Sequence, residues 1–443
     1  MNCSEYRRDE EPAAAAERLP VRRDAGGRLC FDTPARAAGQ RSAAGLAAPP
    51  MPLVRIGFIG LGLRGPVSVE RLTHIEGVEI RALCDTEPER VAAAQRILAE
   101  RGLPPAAGCT GGEGWRELCR RDDIDLVYIC TPWHLHAPMA VYAMEQGRHV
   151  AVEVPAAVTV EECWQLVDTA ERTQRHCMML ENCLYDRFEL ATLRMAREGL
   201  FGEVLHVAGA YIHCFDAWDD WRLEYNRTHR GDIYATHGLG PACRLLDIRR
   251  SDRLDCLVAM DTPSVNGRRR AGTERFSNGD QTTTLLRTER GRTLLLQHNV
   301  MTPRPYSRMF QVVGSEGFAE KYPVEQYAFS RERLAELWPG AEGLSPHEAL
   351  PEERMRELAE RYRHPFREGI EELARAVDPV RGGMNFVMDY RLVHCLRHGL
   401  PLDQDVYDAA EWSCIGALTA LSLEHGSAPV AVPDFTRGGT AAL

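Results

Sequence analysis

Val54-Arg55-Ile56-Gly57-Phe58-Ile59-Gly60-Leu61-Gly62-Leu63-Arg64-Gly65 is an apolar run that opens into a Gly-x-Gly-x-x-Gly turn. Asp85 stands twenty positions beyond the last glycine, at the end of a second apolar run over 78–84. Glycine-rich turns are common, but this one has a strand before it, a helical pattern after it and a carboxylate at the right distance. Gly60 and Gly62 let the backbone turn tightly and approach a pyrophosphate. Gly65 lets the helix close on the strand, and the helix N-terminus faces the phosphate charge. Asp85 is placed to take the two ribose hydroxyls and repel a 2′-phosphate, which favours NAD over NADP. The unit predicts an α/β Rossmann domain with a doubly wound parallel sheet.

Strand and helix patterns alternate onward from Pro52. A helix is expected over 88–101, a buried strand over 125–130 ending at Thr131-Pro132, and a helix opened by Pro138 and closed by Gly147. A strand over 149–154 follows, then a capping box at Thr159-x-x-Glu162 for a helix to about Arg172, and a short strand over 177–180. Ligands bind at the carboxyl ends of such strands. Three of those ends carry polar clusters, at 131–136, 153–155 and 181–182, expected to converge on the nicotinamide half of the cofactor. The second half reads differently. Strands over 204–213, 282–288, 292–298 and 309–313 look antiparallel, with helices near 238–246, 365–376 and 408–423. This predicts an α+β substrate domain with an open, mainly antiparallel sheet, one face of which is available for homo-oligomer formation. The expected division is a tail to residue 51, the NAD-binding domain over 52–182 and the substrate domain over 183–443, whose C-terminal segment packs back on the first domain.

Composition narrows the class. The net charge of −11 argues against nucleic-acid binding, and no apolar stretch is long enough to span a membrane. The fourteen cysteines form no Cys-x-x-Cys pair, which fits a reducing compartment, the cytoplasm. Residues 1–50 are rich in Ala, Arg and Gly without periodicity and read as a disordered tail, or as sequence upstream of a start at Met51; on either reading they lie outside the fold. Arg22-Arg23 lacks the apolar segment of an export signal.

Thr131-Pro132 with His136, and Glu153-x-Pro155, resemble the strand ends of the glucose–fructose oxidoreductase and inositol dehydrogenase superfamily. Longer stretches narrow this to one branch. Glu153-Val154-Pro155-Ala156-Ala157, Met179-Leu180-Glu181-Asn182-Cys183, Tyr234-Ala235-Thr236-His237-Gly238-Leu239-Gly240-Pro241 and Pro401-Leu402-Asp403-Gln404-Asp405-Val406-Tyr407-Asp408 resemble glycoside hydrolase family 109. That resemblance implies an NAD-dependent glycosidase of the α-N-acetylgalactosaminidase type, acting on a small glycoside or oligosaccharide. It implies that Leu63, Arg64, Asp85, the stretch Trp133 to His136, Glu153, Val154 and Asn182 contact NAD. Tyr211, Arg222, Tyr234, His237 and Tyr322 would line the sugar site.

The implied reaction oxidises the hydroxyl on the third ring carbon, eliminates the aglycone from the acidified ketone, adds water and re-reduces, so NAD is recycled. Such a route needs proton carriers rather than a carboxylate pair, and His237, Tyr234 and Tyr322 are the candidates. His237 sits at an expected helix start, where the neutral base is favoured. Ordinary dehydrogenases of the superfamily carry lysine where this chain has Val154. The alternative is an NAD-linked sugar oxidoreductase that cleaves no glycosidic bond. One departure from the family stands out: Arg381, in Pro379-Val380-Arg381-Gly382-Gly383, replaces a loop histidine and cannot be a base near neutral pH. It can clamp an anionic substrate or hold a sugar hydroxyl. The span from Tyr211 to Arg222 also reads as shortened. His134 and His136 lack a third ligand, and no metal is expected.

Overall fold

The computed structural model describes residues 19–213, 220–340 and 343–439. Its first sheet has six parallel strands, in the order Ala107–Thr110, Val78–Asp85, Val54–Ile59, Leu126–Ile129, His149–Val152 and Cys177–Met179. The chain winds outward in one direction from Val54–Ile59 and then in the other from Leu126–Ile129. The crevice between those two strand ends is the switch point where such sheets bind ligands. Leu126–Ile129 is buried along its whole length, as a parallel strand covered on both faces must be, and so its sequence is a continuous apolar run.

The helices follow from local chemistry. Thr159 accepts from the Glu162 N–H (3.1 Å) and Glu162 accepts from the Thr159 N–H (3.2 Å), so the expected capping box opens Val160–Thr173. The next-lower helix starts earlier than Pro138 implied. It runs His136–Glu145, and Pro138 occupies its first turn, where no intrahelical N–H is required. The helix expected over 365–376 is a 3₁₀ turn, Pro365–Arg367, followed by a short helix, Glu371–Val377.

The second sheet has ten strands in the order Val21–Arg23, Leu29–Phe31, Val430–Ala431, Leu254–Asp261, Thr282–Thr288, Thr293–Asn299, Val204–Ile212, Ser307–Gly314, Gly317–Glu320 and Gln326–Phe329. It is mainly antiparallel, but Val204–Ile212 pairs with Thr293–Asn299 in parallel, and Val430 pairs with Leu29 in parallel. The all-antiparallel expectation for the four predicted strands is corrected at that central pair. Alternation along a strand reports burial of its faces, not the direction of its neighbour.

Residues 19–50 also correct the sequence reading, because they are not a tail. Leu29–Phe31 joins the large sheet, Ala43 is buried, and its N–H donates to the Tyr407 hydroxyl (3.0 Å). Arg36 grips Glu171 through two nitrogens (3.0 and 2.9 Å). The order of this segment comes from distant partners, to which local periodicity is blind. Those partners sit on Val160–Thr173 and on the long helix Val406–Glu424, which is buried almost all round. That helix packs on Val160–Thr173, on Cys177–Met179 and on Leu254–Asp261, and so joins the two sheets. Among the described residues no helix is long and apolar enough to cross a membrane, and no cysteine pair is bridged.

Candidate active site

The glycine turn has the shape a dinucleotide needs. Gly60 has φ 91°, and a Cβ there would lie 2.7 Å from the Cys130 carbonyl. A Cβ on Gly65 would lie 2.1 Å from the Gly60 oxygen, so only glycine lets the helix Gly65–Leu72 meet the turn. Gly62 faces open space apart from an Arg90 nitrogen 3.8 Å away, and Leu63 beside it is 59% exposed. An open cradle with an uncovered apolar side chain fits a nucleotide lying across it. Asp85 is buried at its strand end, where Oδ2 accepts from the Leu61 N–H (2.7 Å) and Oδ1 from the Glu87 N–H (3.0 Å). A carboxylate has lone pairs beyond these two, so Asp85 both braces the turn and keeps capacity for ribose hydroxyls. Gly65→Ala is expected to expel NAD. Nucleotide carried through purification at the wild-type ratio would contradict this.

The other strand ends lie alongside. Arg64 donates to Glu153 (3.2 Å), and that cation, with Arg71, outweighs burial and holds the Glu153 carboxyl below its ordinary range. Val154 is buried where a lysine would offer an ammonium. His136 brings no free nitrogen to the cleft: Nδ1 is 2.7 Å from the Pro155 carbonyl and Nε2 is 2.7 Å from the Thr131 carbonyl. It links the loops that follow two strand ends. Asn182 donates to Asn385 (2.6 Å), whose N–H in turn is held by Asp378 (2.9 Å). Asn385, missed in the sequence, opens the helix Met384–His398, so this link brings the 379–383 loop to the cofactor end.

The central feature is a His–carboxylate pair. His237 Nδ1 lies 2.9 and 2.8 Å from the two oxygens of Glu181, which is wholly buried. Burial would raise the Glu181 carboxyl, but His237 and the Cys183 N–H hold it below its ordinary value. Glu181 is therefore an ionised acceptor for the Nδ1–H of His237, and Nε2 is the ring nitrogen that Glu181 does not engage. The sequence pointed to His237 and placed Glu181 in a polar strand-end cluster without linking the two. The signal was Gly238 and Gly240. A Cβ on Gly238 would lie 2.6 Å from the Ala210 nitrogen, and one on Gly240 would lie 3.0 Å from Glu181 Cγ. These glycines let the helix Thr236–Leu245 lie directly on the strand Val204–Ile212 and on Glu181. Gly240→Ala is expected to displace Glu181 and depress turnover, and unchanged kcat would contradict that account. Glu181, Cys183 and His237 hold their donor atoms within 4.8 Å of one another. The carboxylate and imidazole are bonded to each other, the arrangement of a His–carboxylate dyad.

Aromatic rings cluster beside His237. Tyr211 lies 5.4 Å from it and Tyr234 5.0 Å, both edge-on, and the two tyrosines are 4.2 Å apart. Trp133 continues the cluster, 5.5 Å from Tyr234 and 5.1 Å from Trp221, and the Arg222 guanidinium lies 4.4 Å over Trp221. At the other end His213 is 5.6 Å from Tyr211, Tyr306 is 5.5 Å from His213, and Tyr322 is 5.9 Å from Tyr306. The structure thus joins all five expected sugar-site residues, with Tyr322 at the far end through His213 and Tyr306, which the sequence did not single out. Burial pushes the phenols of Tyr234 and Tyr322 above their ordinary value. Both therefore stay protonated near neutral pH. Arg381 ends the short turn Pro379–Arg381, whose loop is pinned by Arg367 on the Gly382 carbonyl (2.7 Å). Most of the shortened span after Tyr211, residues 214–219, lies outside the described residues.

Comparison with known proteins now decides the family. A family model described as "Glycosyl hydrolase 109, C-terminal domain" matches residues 215–441. One described as "Oxidoreductase family, NAD-binding Rossmann fold" matches residues 54–181. Glycosyl hydrolase family 109 protein 1 of Bacteroides fragilis is 57% identical over 418 residues, covering 91% of this chain and 90% of that protein. The chain belongs to glycosyl hydrolase family 109. Another family 109 protein, from Porphyromonas gingivalis, is 56% identical over 420 residues, with 92% and 90% covered. Among solved structures, a levoglucosan dehydrogenase in complex with NADH superposes with a TM-score of 0.66 at 19% identity, over 86% of this chain and 99% of that one. Scyllo-inositol dehydrogenase from Lactobacillus casei gives 0.62 at 14%, over 87% and 99%. These two establish the shared fold. The protein is an enzyme of a glycosidase family, built on an NAD-binding Rossmann domain.

Proposed function

We propose that the enzyme removes an N-acetylgalactosamine-like residue from a small glycoside by an oxidation, elimination, hydration and re-reduction sequence. The observation that carries the reading is the His237–Glu181 pair set against a cluster of aromatic rings on the same side as the glycine turn. NAD, when bound, supplies reversible hydride acceptance from a ring hydroxyl. The residues of the chain supply the proton chemistry. With Val154 at the Glu-x-Pro position, His237 Nε2 is the base for that hydroxyl, and Glu181 steadies the imidazolium that results. Tyr234 and Tyr322, kept protonated by burial, donate to oxygens on which negative charge builds. Tyr211 and Trp221 offer ring faces to the sugar, and Arg222 offers a cation to its hydroxyls.

Arg381 deepens the substrate class. Its guanidinium has no hydrogen bond or ion pair among the described residues, and its loop adjoins the Asn182–Asn385 link. A sugar carrying an anionic group is the fitting extension. The test is a panel of nitrophenyl glycosides, neutral N-acetylhexosaminides and acidic sugars, assayed across pH. Release from one class supports the reading, and no release from any sugar at any pH refutes it. For self-association we propose the open face of the large sheet, where Met260 is 64% and Leu285 57% exposed. Light scattering of the Met260→Glu, Leu285→Glu double variant should show smaller particles than the wild type.

A further inference from the structure

Lys321 is the only lysine in the chain; every other side chain among its 53 Lys and Arg is arginine. Where this protein matches a buried carboxylate with a cation it has arginine, as at Arg71–Asp389, Arg437–Glu171 and Arg308–Glu189. At 321 it has an ammonium, a compact point charge with three donors, and not a planar fork.

Its surroundings place it at the sugar site. The Lys321 ammonium is ion-paired with Asp186, stands 3.8 Å from Glu189 Oε1 and lies 5.7 Å from the ring centre of Tyr322. Arg308 lies 5.7 Å from the same ring, pairs with Glu189 at 2.5 Å and donates to the Tyr306 hydroxyl (3.3 Å). The backbone is bent to bring these groups together. Met309 and Phe310 are left-handed, with φ 57° and 50°, the strand Ser307–Gly314 slips register around them, and the Phe310 carbonyl accepts the Lys321 N–H (3.2 Å). Arg308 bonds Glu189 at Oε1 and leaves Oε2 buried without a hydrogen bond. Glu189 lies beyond hydrogen-bond reach of the ammonium, so Asp186 takes one of its three N–H groups. The Lys321 side chain is enclosed but keeps 10% exposure.

We propose that Lys321 is a substrate-binding residue of the sugar site: its ammonium, oriented by Asp186 and Glu189 at the edge of Tyr322, donates to a hydroxyl or carbonyl oxygen of the bound sugar. An arginine there would spend its fork on the two carboxylates and leave the sugar oxygen without its donor. The inference rests on the glycosidase reading, and the experiment separates the two.

Because the chain has one lysine, reductive methylation of the NAD-loaded full-length protein marks only Lys321 and the N-terminal amine. Peptide mass spectrometry then follows Lys321 with and without N-acetylgalactosamine. Tryptophan fluorescence of the same sample, from Trp133 and Trp221 in the cluster, reports whether the sugar is bound. At a sugar concentration about tenfold above its dissociation constant, methylation of Lys321 should slow about tenfold while the N-terminal amine reacts unchanged. Lys321→Met and Lys321→Arg should both raise KM by roughly 10- to 100-fold with kcat changed much less, the size of a lost charged hydrogen bond. Sugar binding by fluorescence without protection, a lysine that resists methylation in free enzyme, or a Lys321→Arg variant with wild-type KM would each overturn the proposal. If no sugar binds and no glycoside is cleaved by the wild type, the glycosidase reading falls first, and this inference falls with it.

Discussion

His237→Ala is expected to lower kcat on a cleaved glycoside by roughly 10²- to 10⁴-fold while the purified protein still carries NAD. The His237 imidazole, held at Nδ1 by Glu181, is the base this route assigns. Burial keeps the Tyr234 and Tyr322 phenols protonated, Val154 offers no nitrogen, and Arg381 stays charged. Glu181→Gln should give a smaller loss through the tautomer. A carboxamide can present its NH₂ to Nδ1, which would move the ring proton to Nε2 and remove the lone pair that faces substrate. Retention of bound nucleotide separates this chemistry from a collapsed site. A His237→Ala enzyme with wild-type kcat would show that the base is elsewhere.

Asp389→Ala carries the largest expected effect on stability, a loss of roughly 3–5 kcal/mol. Arg71 and Asp389 are fully buried and paired at 2.8 Å, and the Tyr128 hydroxyl donates to the other carboxylate oxygen (2.9 Å). The pair pins Met384–His398 to the first Rossmann helix, Gly65–Leu72. Removing the carboxylate leaves a guanidinium buried without its counter-charge. Replacing both partners by apolar residues, Arg71→Met with Asp389→Leu, should recover most of the loss, because neither charge is then stranded. Urea denaturation with fixed NAD decides. A double variant as unstable as the single one would contradict the electrostatic account.

The Rossmann half was legible because its elements are local and its chemistry has spacing. The glycines, Asp85 and the Thr159 capping box sit where sequence rules put them. The second sheet was half legible: alternation exposed four strands but not the parallel pairing of Val204–Ile212 with Thr293–Asn299. Residues 19–50 were misread because their order depends on Tyr407, Glu171 and Val430, far along the chain. In the site, His237 and the tyrosines were visible through their motif. The pairing of Glu181 with His237 was not, since it depends on a helix laid against Glu181 by Gly238 and Gly240. His136 was read as a cofactor contact from its motif, and the structure adds that both its ring nitrogens lie on carbonyl oxygens. Lys321 was plain in composition, yet its meaning needed Asp186, Glu189 and Tyr322 around it.

On the proposed route NAD is a resident catalytic group, reduced and reoxidised within each turnover. Deuterium exchange tests it most directly. A glycoside incubated in heavy water with the NAD-loaded enzyme should yield sugar carrying deuterium on the ring carbon next to the oxidised position, with no accumulation of NADH. Sugar released without deuterium, or NADH formed one-for-one with a keto sugar, would contradict it.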